Sequence, residues 1–201
     1  CKKCSQLSEV IVATDDKRIY NHILEFGGKA MMTSKTHESG TDRCNEVAQK
    51  LYKHYDLIVN IQGDEPFINP IQISELISIF NNTKVEIGTL AKRITNLHLL
   101  KDKNCPKAIF DKDGIALSFC REITSLSKKQ SYFKHIGIYG YRTQTLAKIC
   151  KLPFSENEKV ERLEQLRWLD NNYKIKVGIT TFESLSVDTP EDIIKITAQM
   201  R

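Results

Sequence analysis

The chain has 201 residues, 40% of them hydrophobic and 27% charged, which suits one folded domain with a real core and excludes a disordered segment. Its net charge of +5, from 30 Lys and Arg against 25 Asp and Glu, is spread along the chain. The longest basic runs are pairs such as Lys2-Lys3 and Lys128-Lys129, so a nucleic-acid partner is not expected. No apolar run approaches the roughly 18–20 residues of a membrane span, so no membrane partner is expected either. Among six cysteines only Cys1 and Cys4 are close in sequence, with no second Cys/His pair to complete a zinc site. They read as reduced thiols of a cytoplasmic protein, with a redox pair at Cys1 and Cys4 as the alternative.

In chain order, Val10-Ile11-Val12-Ala13-Thr14 is a short β-branched run ending at Asp15-Asp16, which predicts a buried strand. Ile19, Ile23, Leu24 and Phe26 then form a helical stripe that Gly27-Gly28 terminates. Residues 29–32 predict a second strand, and Thr41 or Asp42 is the expected cap of a helix to about Lys53. Leu57-Ile58-Val59-Asn60-Ile61 is the clearest central strand; Asn69-Pro70-Ile71-Gln72 carries the signature of a capping box with proline in the first turn. Residues 87–94 and 107–118 predict strands, the second stretch folded as a hairpin about Asp111-Lys112-Asp113-Gly114. Residues 133–142 alternate as a further strand. Ser155-Glu156-Asn157-Glu158 opens a helix expected to run to about Leu169, residues 174–180 form the last strand, and Thr189-Pro190 opens the final helix. The alternation predicts an α/β fold: a mostly parallel central sheet with helices on both faces.

Ligands of such sheets sit beyond the carboxyl ends of the strands. Asp64 follows the 57–61 strand, with Gly63 freeing the backbone for close approach. Asp188 follows the last strand region. Together they would hold a Mg²⁺ through oxygen ligands beside substrate phosphates, although an ordinary helix start also explains Asp188. His37-Glu38-Ser39-Gly40-Thr41-Asp42-Arg43 precedes a helix and offers backbone N–H groups to an anion, or is simply a capped loop. His135, Tyr139 and Tyr141 share one face of an alternating strand. Glu161, Glu164 and Gln165 lie at i, i+3 and i+4 of one helix and so share a face, for which a solvated surface is the ordinary explanation. No Gly-rich phosphate loop of either common type occurs, so a triphosphate cradle, if the protein uses one, is expected upstream of Cys1.

Six segments in order, among them Asn60-Ile61-Gln62-Gly63-Asp64-Glu65-Pro66, His135-Ile136-Gly137-Ile138-Tyr139-Gly140-Tyr141-Arg142 and Val187-Asp188-Thr189-Pro190-Glu191-Asp192, resemble the CMP-Kdo synthetases (3-deoxy-manno-octulosonate cytidylyltransferases). The resemblance covers essentially the whole chain. It implies a Rossmann-like nucleotidyltransferase fold with a small antiparallel dimerisation part, a homodimer, and transfer of a cytidylyl group from CTP to Kdo for lipopolysaccharide biosynthesis. It further implies Asp64 and Asp188 as catalytic Mg²⁺ ligands. Gln62, Arg121, His135, Tyr139, Glu164 and Gln165 become sugar contacts, and His37, Ser39, Gly40, Thr41 and Arg43 line the CTP pocket. Two departures stand out. The family's opening strand and Arg/Ser/Gly/Lys loop have no counterpart here, so residues 1–201 are expected to form a single domain lacking them and to be inactive as they stand. The stretch Glu122-Ile123-Thr124-Ser125-Leu126-Ser127-Lys128-Lys129 replaces the family's Ile-Pro-aromatic pattern with its second arginine. An 8-amino-Kdo substrate and a non-catalytic fragment remain the alternatives.

Overall fold

A computed structural model describes residues 1–51, 54–123, 131–183, 187, 193–194 and 197. The first half runs β1 (Val12–Thr14), α1 (Lys17–Glu25), β2 (Ala30–Met32), α2 (Gly40–Lys50), β3 (Leu57–Asn60) and α3 (Pro70–Ile79). The second half runs β4 (Ile87–Arg93), β5 (Lys107–Phe110), β6 (Ala116–Cys120), β7 (Phe133–Arg142), α4 (Thr143–Ile149), α5 (Glu156–Glu161), α6 (Gln165–Asp170) and β8 (Ile175–Thr180). The predicted alternation and the helices on both faces are present. The final helix predicted from Thr189 falls largely outside the described residues.

β1 and β2 pair in parallel as a separate two-stranded sheet. The main sheet has the order β6-β5-β7-β4-β8, with β3 also on β7. The alternation predicted a mostly parallel sheet; the pairing is mixed. β4 and β8 are parallel, whereas β7 runs antiparallel to β3, β4 and β5. β7 causes this. It is ten residues long, enough to take β4 along one edge and both β5 and β3, end to end, along the other.

The sheet buries side chains on both faces. One face carries Phe119, Tyr139, Tyr141 and Ile175 against Leu146 of α4 and Leu166 and Trp168 of α6. The other carries Leu90, Ile136 and Ile138 against Ile73, Leu76 and Phe80 from α3 and its C-cap. Phe80 lies directly on the cross-strand pair Gly88 and Gly140, where a Cβ would come within 2.9 Å and 2.5 Å of its ring. Arg142 fastens the same corner, donating from Nη2 to the Phe80 carbonyl at 2.8 Å and from Nε to Val85 at 3.2 Å.

Three local expectations change. The cap of α2 is Ser39, whose hydroxyl accepts from the Asp42 amide, rather than Thr41 or Asp42. The apolar stripe of α1 is mostly uncovered among the described residues: Ile19, Leu24 and Phe26 are exposed, and the helix packs chiefly on the short β1–β2 pair. The helix predicted from Ser155 to Leu169 is two helices. The Ser155–Glu158 capping box is present, but Arg162 turns left-handed at φ 54° and α6 starts afresh. The carbonyls of Glu161 and Arg162, which a continuous helix would have used, instead accept from the Arg121 guanidinium at 2.7 and 3.1 Å. Glu161 therefore does not share a helical face with Glu164 and Gln165.

Candidate active site

β3 ends at Asn60, and the chain turns through Gln62, Gly63 and Asp64 at the carboxyl end of the strand. Asp64 is exposed in this turn, and its carbonyl accepts from the Val187 amide at 2.8 Å. The two sequence motifs that carry the predicted carboxylates are thus tied together across more than half the chain. Asp188 itself lies outside the described residues.

Gln62 reaches back to the start of α2. A Cβ on Gly40 would come within 2.8 Å of its Oε1, so only glycine lets the carboxamide lie against the helix N-terminus. The next residue, Thr41, is buried, and its hydroxyl donates to Glu164 Oε2 at 2.7 Å. With that proton committed, the longer 3.5 Å contact with Tyr141 runs the other way, the phenol donating to Thr41 Oγ1. The chain Tyr141, Thr41, Glu164 joins β7, α2 and the start of α6. Burial raises the Glu164 carboxyl above its usual range, against the opposing Thr41 hydrogen bond. Burial, then the nearby Glu164 charge, pushes the Tyr139 and Tyr141 phenols well above 10.

Tyr139 stands at the centre of this face. Its ring packs edge-on against Trp168 at 5.0 Å, stacks with Tyr141 at 5.8 Å and meets His135 at 5.4 Å. Gln165 lies one helical turn before Trp168 on the same buried side of α6. Gln62, Gly40, Thr41, Tyr139, Glu164 and Gln165 therefore lie towards one face of the sheet.

The others are placed differently. His135 is 8% exposed, and its Nε2 lies 3.0 Å from Thr89 Oγ1, so it supports Tyr139 from within the sheet rather than facing an opening. Ser39 caps α2 and also donates to Asp42 Oδ2 at 2.9 Å. His37 pairs with Glu46 on the outer side of α2, and the Glu46 carboxyl is lowered to about 2, first by Lys50 and then by Ser34 and His37. Arg43 donates to Thr33 Oγ1 at 2.7 Å, to the Ser34 carbonyl at 3.1 Å and to Asp15 at 3.3 Å, lashing α2 to the ends of β1 and β2. Arg121 gives all three guanidinium nitrogens to backbone carbonyls, of Lys103, Glu161 and Arg162. Most of the divergent 122–129 stretch lies outside the described residues. No group of three metal-ligating side chains occurs among the described residues, and all six cysteines are free.

One residue of the cluster was not singled out from sequence. Asn60, the only polar side chain in its strand, is 3% exposed and pairs in register with Tyr139. The available signal was an amide inside an otherwise apolar central strand.

The family model described as cytidylyltransferase matches residues 1–175. This chain belongs to the cytidylyltransferase family. Within the family it is 47% identical to the 3-deoxy-manno-octulosonate cytidylyltransferase of Parabacteroides distasonis, an alignment covering 96% of this chain and 82% of that protein. It is 45% identical to the protein of the same name from Thermodesulfovibrio yellowstonii, over 96% of this chain and 81% of that one. A solved structure of CMP:2-keto-3-deoxy-manno-octonic acid synthetase complexed with CTP superposes with a TM-score of 0.92 at 35% identity, covering 99% of this cytidylyltransferase and 83% of that chain. A 4-diphosphocytidyl-2C-methyl-D-erythritol synthase from Anaerococcus prevotii, at 16% identity and TM-score 0.66, shares the fold.

Proposed function

We propose that the chain transfers the cytidylyl group of CTP to 3-deoxy-manno-octulosonate (Kdo), giving CMP-Kdo and pyrophosphate. The relatives 41–47% identical to it carry that activity in their names, over 80% or more of their own length. The observation in the fold that carries the reading is the Val187–Asp64 hydrogen bond, which joins the two predicted carboxylate motifs beside a buried polar cluster. In this reading Asp64 and Asp188 hold Mg²⁺. An exposed carboxylate at a strand end fits that ion, which takes one or two protein carboxylates and completes its shell with phosphate oxygens and water. When bound, the ion neutralises phosphate charge. The chain's own part is to orient two anions and exclude water, which suits phosphoryl-type transfer, where positioning dominates. Tyr139, Gln165, Glu164 and Gln62 face the acid sugar, and the turn at Ser39–Thr41 borders the nucleotide side.

The product is activated for lipopolysaccharide assembly in the cytoplasm. The six free thiols support that compartment, and among the described residues no helix is long and apolar enough to cross a membrane. The chain works as a homodimer in this reading, supported by Leu117, 63% exposed on the hairpin strand β6.

The test follows Kdo binding through Trp168, the only tryptophan in the sequence, alongside Kdo-dependent release of pyrophosphate from CTP. Kdo-dependent turnover establishes the transfer. Kdo binding without turnover keeps the acceptor site and overturns the transfer. Neither binding nor turnover overturns the reading.

A further inference from the structure

Among the described residues, three side-chain nitrogen or hydroxyl groups on one face of the sheet are buried without a hydrogen-bond partner: Asn60 Nδ2, Tyr139 OH and Gln165 Nε2. Their residues are 3%, 6% and 5% exposed. Asn60 and Tyr139 are register partners on β3 and β7, and Tyr139 is in ring contact with Trp168, one helical turn from Gln165. Every orphaned group can donate. A buried donor left unmade is a standing penalty, and native proteins satisfy nearly all such groups. Three of them converging on the face that Glu164 and Gln62 also approach describe half of a site whose other half is a ligand rich in oxygen acceptors.

We infer that Asn60 is a substrate-contacting residue of this enzyme, its carboxamide Nδ2 donating to an oxygen of the acid sugar and helping to select a hydroxylated, carboxylated acceptor. The inference rests on the reading of the chain as a Kdo cytidylyltransferase. Tyr139 and Gln165 sit in segments that already suggested them. Asn60 is reached only through its burial, its missing partner and its place opposite Tyr139. Its position at the last residue of β3 also places it two residues before Gln62 and four before Asp64, at the end of the sheet where the sugar must meet the nucleotide.

A purely structural amide and a ligand-binding one respond oppositely to an apolar replacement of similar size. Removing an unsatisfied buried donor is neutral or stabilising for the fold. Asn60→Leu is therefore expected to melt at the wild-type temperature or above it, while Kdo binding, read by Trp168 fluorescence, weakens by about 10-fold or more. CTP binding, read by calorimetry, stays unchanged. Asn60→Asp, which keeps the shape and replaces the donor with an anion, is expected to weaken Kdo at least as much and to leave CTP alone.

Wild-type protein blind to Kdo sinks the functional reading and this inference with it. A wild type that binds Kdo, with both variants binding it equally well, sinks the role of Asn60 alone. So does a loss of thermal stability in both variants accompanied by equal weakening for sugar and nucleotide.

Discussion

His135 illustrates how burial fixes a protonation state. Thr89 donates its single hydroxyl proton to a β7 carbonyl, Ile138 at 2.8 Å, so the 3.0 Å contact with His135 requires Nε2–H to donate to Thr89 Oγ1. The imidazole is neutral, and desolvation lowers its pKa from 6.5 to about 3. In the unfolded chain the same ring takes up a proton near 6.5. Between those two values the unfolded state binds more protons, so stability is present in full above about 6.5 and falls as pH drops towards 3. The contribution from this one ring is about 1.4 kcal/mol per pH unit. Denaturant melts of wild type and His135→Gln across this range are expected to show a flatter acid limb in the variant; parallel limbs would remove the argument.

At the scale of elements, two packing solutions hold the site. The first sets α3 on the sheet. Phe80 lies on Gly88 and Gly140 so closely that Gly140→Ala forces ring or backbone to move, and a loss of about 1–3 kcal/mol in unfolding free energy is expected. The second sets α6 against α5. Arg167 makes two bonds to Glu158, at 2.7 and 2.6 Å, with both side chains under one-tenth exposed, and its guanidinium covers Phe154. Glu158→Gln leaves the arginine charge buried with half its partner and is expected to cost about 3–5 kcal/mol. The paired replacement Glu158→Leu with Arg167→Met is expected to cost less than the single change, a cycle that chemical denaturation can measure. Since α6 and its N-cap carry Glu164, Gln165 and Trp168, the single variant also loosens the side of the candidate site proposed for the sugar.

Across the whole molecule, the candidate site is assembled where β7 runs against β3 and brings Tyr139 beside Asn60, while Val187, after β8, bonds to Asp64. Asp64→Asn keeps the turn and removes a carboxylate charge, so where the unaltered chain turns over, binding of Kdo should persist in the variant while CMP-Kdo formation falls by a factor on the order of 100. Product formation measured by chromatography checks this; activity within a few-fold of wild type would take Asp64 out of the chemistry.

The sequence by itself determined the elements whose signals are local. The capping boxes at Asn69 and Ser155, the hairpin about Gly114, the Gly27 stop and the strand before Gln62 are set by neighbours a few residues apart, and each is found where its signal lies. Gln62, Tyr139, Glu164 and Gln165 were named as candidates through the family resemblance of their segments, and only the fold places them on a common side of the sheet. Only the tertiary structure decided the rest. The break at Arg162 depends on Arg121, some forty residues away, taking helix carbonyls, and the mixed strand directions depend on which edge of β7 each strand finds. The same holds for Arg43 and Arg121, whose charges are turned inward on backbone and side-chain oxygens, and for Asn60, whose lack of a partner is a property of its surroundings. A residue's type states what it can bond to; which of those bonds is made depends on contacts between segments distant in the chain, and those contacts are fixed only when the sheet and its helices close on one another.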